Sequence, residues 1–120
     1  MKSIYKLLIL FILPLLIFVI FISVDYYGSR SIIDLDPLTK CLTEKGAVMY
    51  GTSWCSHCQQ QKKDFKESFQ FIDYHDCDIE TDLCKIKEIE VYPTWEIKEI
   101  KYPGRLSLQK LAELTGCQLS

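Results

Sequence analysis

"MYGTSWCSHCQQQ", residues 49–61, runs from an apolar segment through Gly51 into a polar segment of helical spacing, with Cys55 and Cys58 at the join. Cysteines at this spacing can trade electrons, hold half of a metal site, or staple a small secreted fold. The flanking elements discriminate. "AVMY", 47–50, is a short apolar run ended by glycine and reads as a buried strand. Residues 57–70 place Cys58, Phe65 and Phe69 on one side among Gln, Lys and Glu, which predicts a surface helix with a narrow apolar stripe. The cysteines therefore stand at a helix start, where unpaired N–H groups and a partial positive charge stabilise a nearby thiolate, the nucleophile of disulfide exchange. His57, when protonated, adds a second cation and tunes the reactivity of Cys55. Cys55 is then the attacking thiol. Cys58, one turn in, resolves the mixed disulfide.

The 120 residues suffice for one domain, and the N-terminus removes part of even that. Leu7 to Val24 is an apolar run broken only by Pro14 and Ser23, close to the length that crosses a bilayer as a helix. Lys2 and Lys6 precede it; Asp25, Tyr26 and Tyr27 follow, and this asymmetry predicts a cytoplasmic tip and an extracytoplasmic domain. A cleaved signal peptide is the rival reading, but its apolar region would be shorter, and no A-x-A pattern stands near Ser23. Either way residues 25–120 leave the cytoplasm. Without Lys2 and Lys6, 12 of the 14 Lys plus Arg remain there against 16 Asp plus Glu. Such a mildly acidic domain lacks the basic footprint of nucleic-acid binding and the polybasic patch of anionic-lipid binding. All six cysteines lie in it, which in an oxidising compartment reads as disulfide chemistry before metal chemistry.

The expected organisation is an anchor over 1–24, a tether over 25–35 and a small α/β domain over 36–120. "DPLTKCLTEKG" carries helix punctuation: Asp36 as cap, Pro37 in the first turn, Gly46 just past the end. "FIDYHDCDI", 71–79, reads as a strand, 81–90 as a weak helix, and "TWEIK" with "IKY" as a hairpin after Pro93. "SLQKLAELTGC" closes the chain as a helix, capped by Ser107, with Leu108, Leu111 and Leu114 as contacts and Gly116 as terminator.

With the motif so placed, "YGTSWCSHC", "YPTW" at 92–95 and "YPGRLSLQKLAELTGC" at 102–117 resemble the thioredoxin family. More narrowly, they resemble the thioredoxin-like domain associated with bacterial vitamin K epoxide reductase homologues. The similarity covers about residues 40–117. It implies a thioredoxin fold, Cys55 and Cys58 as the redox pair, a cis peptide at Pro93, and Tyr92 as a backbone contact for extended substrates. Trp54, beside Cys55, joins the expected substrate contacts. One position departs from the family pattern. Thioredoxins carry a buried acid six residues before the first motif cysteine, where this chain has Met49, so a base for Cys58 is missing or placed elsewhere.

The expected function is a membrane-anchored, extracytoplasmic thiol–disulfide oxidoreductase acting on protein cysteines, with no metal or organic cofactor. Its implied partner is a membrane-embedded vitamin K epoxide reductase-like protein that passes electrons to quinone. Two alternatives stand beside it: a disulfide reductase, for example in cytochrome maturation, and a non-enzymatic module held by disulfides or zinc. Zinc would need a second close ligand pair, and six residues separate Cys77 from Cys84, although His75 and Cys77 could join Cys55 and Cys58. Haem attachment would need His where Gln59 stands. Of the remaining residues, Trp95 and Ile97 read as core, and Lys62, Lys63 and Lys66 as the solvated face of the first helix.

Six cysteines allow 15 pairings, and a 55–58 pair leaves three. Cys41 faces inward from the first exported helix and Cys117 follows the last one, so the expected clamp is Cys41–Cys117. Cys77 and Cys84 then pair locally. A second redox relay through these four is the other possibility.

Overall fold

The computed structural model describes residues 1–28 and 33–119, and the chain divides into two compact units, Met1–Ile33 and Asp34–Ser120. The first is one helix, α1 (Lys2–Gly28), with Pro14 inside it. Its stretch Ser3–Val24 is long and apolar enough to cross a membrane, and a signal sequence would meet the same description. The helix runs on to Gly28, so the first residues of the expected tether continue it. Residues 29–32 of that tether, and the side chains of Asp25, Tyr26 and Tyr27, lie outside the described residues.

The second unit is a mixed α/β fold. Its elements are α2 (Asp36–Glu44), β1 (Val48–Gly51), α3 (Ser56–Phe65), a 3-10 helix (Lys66–Phe71), β2 (Asp73–Asp76), α4 (Thr81–Ile86), β3 (Thr94–Ile97), β4 (Ile100–Pro103) and α5 (Leu108–Thr115). The sheet order is β2-β1-β3-β4, with β1 and β2 parallel and the other pairs antiparallel. A parallel strand–helix–strand unit followed by a hairpin and a closing helix is the thioredoxin fold. Helices flank the sheet, and the expected class is the one observed.

Alternation along β1 sorts its side chains to two faces. Met49 faces the main core with Leu38, Leu42, Phe65, Trp95, Ile97 and Leu111. Tyr50 belongs to a smaller cluster with Cys77, Cys84 and Ile89. Register carries the first face across the whole sheet: Tyr74 pairs with Met49, Met49 with Trp95, and Trp95 with Tyr102. Trp95 is fully buried, and its indole N–H donates to Gln61 Oε1 at 3.1 Å.

Three local expectations need correction. Asp36 is the first helical residue of α2, not its cap; Leu35 holds the cap position, and Asp34 accepts the Asp36 amide at 3.0 Å. The Asp36 carboxylate turns instead to Ser68 Oγ, 2.5 Å away. The predicted helix over 57–70 stops at Phe65, because Lys66 takes a positive φ (54°, with ψ −135°) that breaks the helix, and the chain tightens into the 3-10 helix. That break lets the segment dock on α2, through Ser68 and through Thr43 Oγ1 donating to the Phe71 carbonyl at 2.7 Å. Lys62 is half-buried, with its ammonium 3.9 Å from the centre of the Tyr74 ring, and so leaves the solvated face on which it was expected.

Candidate active site

β1 ends at Gly51, and after four intervening residues α3 begins at Ser56. Cys55 is the N-cap of that helix: extended (φ −72°, ψ 119°), with its sulfur accepting the Cys58 amide at 3.3 Å. The sulfur thus occupies the slot that a serine or aspartate oxygen fills at an ordinary helix start. The Tyr92 carbonyl lies 3.5 Å away and accepts from the thiol. Tyr92 precedes Pro93 in a cis peptide, as the resemblance implied, and that loop forms the opposite wall.

Cys58 lies one turn in and is fully buried, whereas Cys55 keeps 8 % of its surface exposed. Both are thiols in this structure. The contrast follows from the turn: a cap residue faces the helix mouth, and the residue three positions on faces the core. Burial is the chief force pushing the Cys58 thiol up to about 12, and the hydrogen bond with Cys55 adds to it. The Thr52 amide and the Lys62 charge act the other way. Gly51 is required by this packing, since a Cβ there would stand 2.9 Å from Cys58 Sγ. Met49, at the position of the missing acid, is fully buried and supplies no proton acceptor.

The other expected residues gather around the mouth. Trp54 is 69 % exposed, set edge-on to Tyr92, and its indole N–H donates to Asp78 at 3.1 Å. His57 is exposed and lines an open groove of about 580 Å³ with Val91, Tyr92, Gly104, Arg105 and Ser107. Arg105 grips Asp64 of α3 through two hydrogen bonds of 2.7 and 2.6 Å, which fixes the groove's outer wall. The other four cysteines stand apart from the motif. Cys41 is bonded to Cys117, joining the segments at α2 and α5, and Cys77 to Cys84, bracketing the start of α4. His75 serves β2: it contacts Glu80 at 2.8 Å and stacks on Tyr50.

Two residues of the site escaped sequence reading. Gln61 is fully buried; its amide accepts from Trp95 and from the Leu106 amide (2.8 Å) and donates to the Leu106 carbonyl (3.0 Å). It ties the motif helix to β3 and to the groove's rim. Its place three residues after Cys58, on the same stripe, was the available signal, but Gln59, Gln60 and Gln61 look alike in a sequence. Tyr74 is the second: its hydroxyl is buried, and it borders the same Gly51 backbone as the Cys58 sulfur.

Among known proteins, the chain is similar to the thiol-disulfide oxidoreductase LTO1 of Arabidopsis thaliana, with 37% identity over 91 residues. The match covers 68% of this chain and 24% of that protein, so the chain spans about a quarter of its relative's length. No protein-family model matches the chain. The likeness, taken with the fold, supports a thioredoxin-like oxidoreductase.

Proposed function

We propose that the chain is a membrane-anchored thiol–disulfide oxidoreductase whose Cys55 and Cys58 cycle between dithiol and disulfide on exported protein substrates. The observation that carries this reading is the position of the Cys55 sulfur, at a helix N-terminus and against the carbonyl of Tyr92, with Cys58 buried behind it. A substrate thiolate attacks Cys55 in the oxidised pair, the Cys55–Cys58 bond breaks, and Cys58 leaves as a thiolate that takes up a proton. The substrate's second thiolate then attacks its own sulfur in the mixed disulfide. That step releases Cys55 and leaves the substrate oxidised by two electrons. Trp54 and the Tyr92–Pro93 edge serve as substrate contacts, because a large exposed aromatic and a backbone edge border the reactive sulfur.

The direction of flow follows from the resemblance of the motifs. A membrane vitamin K epoxide reductase-like partner takes the two electrons from the reduced pair and passes them to quinone. The α1 helix holds the domain on the extracytoplasmic side near that partner, where confinement raises the effective concentration.

The test is the state of the pair in cells, trapped by acid quench and alkylation of the full-length chain. A mostly oxidised Cys55–Cys58 pair is expected, and a mostly reduced pair would overturn the oxidase reading in favour of the reductase. Deleting residues 1–24 and exporting the domain should slow re-oxidation in cells while leaving the reaction with dithiothreitol unchanged. Equal re-oxidation without the helix would remove the anchor from the mechanism.

A further inference from the structure

The buried thiol raises a problem that Met49 leaves open: what stabilises charge on the Cys58 sulfur when it forms? The hydroxyl of Tyr74 is buried and, among the described residues, has no hydrogen-bond partner. A buried donor without an acceptor keeps the full cost of leaving water, so its persistence calls for a reason. Its surroundings supply one. A Cβ built on Gly51 would meet Cys58 Sγ at 2.9 Å and Tyr74 Oη at 3.4 Å, so sulfur and hydroxyl border the same spot on the β1 backbone. Tyr74 is also the β2 residue paired with Met49, which places it in the row where a buried acid is absent.

The ring is held firmly in this position. Phe69 packs edge-on at 5.5 Å between centroids, and the Lys62 ammonium lies over its face at 3.9 Å. Burial, together with the charges of Asp76, Asp78, Cys55 and Cys58, keeps the phenol protonated far above neutral pH. It is therefore a donor that cannot act as a base. In the dithiol it makes no hydrogen bond, a thiol sulfur being a weak acceptor; a Cys58 thiolate would be a far stronger one.

We infer that Tyr74 is the positioning residue for the buried thiol, its hydroxyl donating to the Cys58 sulfur only while that sulfur carries negative charge. A donor set where charge develops lowers the barrier without reorganising at the moment of reaction. When Cys58 attacks a mixed disulfide, its proton leaves to solvent, its thiolate bonds to Cys55 Sγ, and the substrate sulfur departs with the electron pair. In the oxidising direction Cys58 is the leaving group of the same transition state, so one donor serves both. Lys62 assists from above the ring, where a cation draws electron density from the phenol and strengthens its O–H as a donor.

This inference rests on the exchange reading, and one experiment separates their failures. The reduced full-length chain in detergent is mixed with the aromatic disulfide dithiobis(nitrobenzoate). Attack by Cys55 releases one coloured thiolate in a phase that depends on probe concentration; attack by Cys58 on the resulting mixed disulfide releases a second in a phase that does not. Tyr74→Phe, which keeps the ring, should slow the second phase by roughly ten- to a hundredfold, the worth of a hydrogen bond to a charged group, and leave the first unchanged. The pH needed for a given second-phase rate should also move upward, because the lost donor makes the thiolate harder to form. Tyr74→fluorotyrosine, with a more acidic hydroxyl, should speed that phase and covers the case in which Tyr74→Phe folds poorly. An unchanged second phase in both variants, or equal slowing of both phases, would overturn the role of Tyr74. A wild-type chain with no second phase would overturn the exchange reading, and this role with it.

Discussion

α3 and α5 start in the same way and end up with different chemistry. At α5, Ser107 is extended (φ −67°, ψ 153°) and its hydroxyl accepts the Lys110 amide at 3.1 Å; at α3, Cys55 does the same with sulfur at 3.3 Å. Each side chain satisfies one of the amides that a helix start leaves unpaired. The serine stops there, because a hydroxyl is inert to disulfides and the residue three positions on is an exposed lysine. At α3 the capping atom is a nucleophile, the residue three positions on is a second, buried thiol, and the Tyr92 carbonyl closes the opposite side at 3.5 Å. The helix start thus supplies the electrostatics in both places. On the proposed function, it is the second thiol behind the cap that makes this helix start a redox site.

The largest test of that contrast exchanges the caps. Cys55→Ser should abolish exchange altogether, since Cys58, the other free thiol, is fully buried, while serine keeps the cap and the melting temperature hardly moves. The reverse change, Ser107→Cys, should give a thiol that alkylates yet never forms an internal disulfide, having Lys110 where Cys58 would be; any such disulfide would break the comparison. Next in size is the pH dependence of resolution. With the Cys58 thiol pushed up to about 12, its thiolate is scarce at neutral pH. The second-phase rate should therefore climb about tenfold per pH unit towards that value, because each unit below the pKa costs one factor of ten in thiolate. A plateau near neutrality would mean that Cys58 is far more acidic than its burial allows.

The disulfides away from the motif should affect stability rather than reactivity. The Cys41–Cys117 bond closes a sequence separation of 76 residues, for which chain entropy gives about 4.5 kcal/mol, against about 2.5 for the separation of 7 at Cys77–Cys84. Cys41→Ser should lower the melting temperature more than Cys84→Ser, and neither should change the alkylation rate of Cys55. A slowed Cys55 in either variant would link these bonds to the site. The smallest effect belongs to the inert cap. Ser107→Ala should cost about 1 kcal/mol in thermal unfolding and leave exchange as it was.

Much of the site is local in sequence and legible there. Cys55 and Cys58 sit together because a helical turn brings residue i beside i+3, and the strand, Gly51 and the polar helix locate that turn. Ser107 and Gly116 punctuate α5 by short-range rules that need no tertiary contact, and both hold: Ser107 caps, and Gly116 is left-handed at φ 76°. The same rules failed at Asp36 and Lys66, where long-range partners decided the outcome. Ser68 draws the Asp36 carboxylate away from capping, and docking of the 3-10 helix on α2 ends α3 early.

The sequence by itself determined the class of fold, the redox-type motif, the apolar N-terminal helix and the order of strands and helices, because each depends on periodicity or spacing along the chain. Tertiary structure alone decided what lies around the sulfurs. Gln61 became the clasp among three consecutive glutamines because only it meets both Trp95 and Leu106, which are 34 and 45 residues away. Lys62 became half-buried over the face of Tyr74, and the pairing of β1 with β2 set Tyr74 against the same Gly51 backbone that Cys58 borders. These are contacts between side chains distant in the chain. Their partners are chosen by sheet register and core packing, quantities that no local pattern encodes.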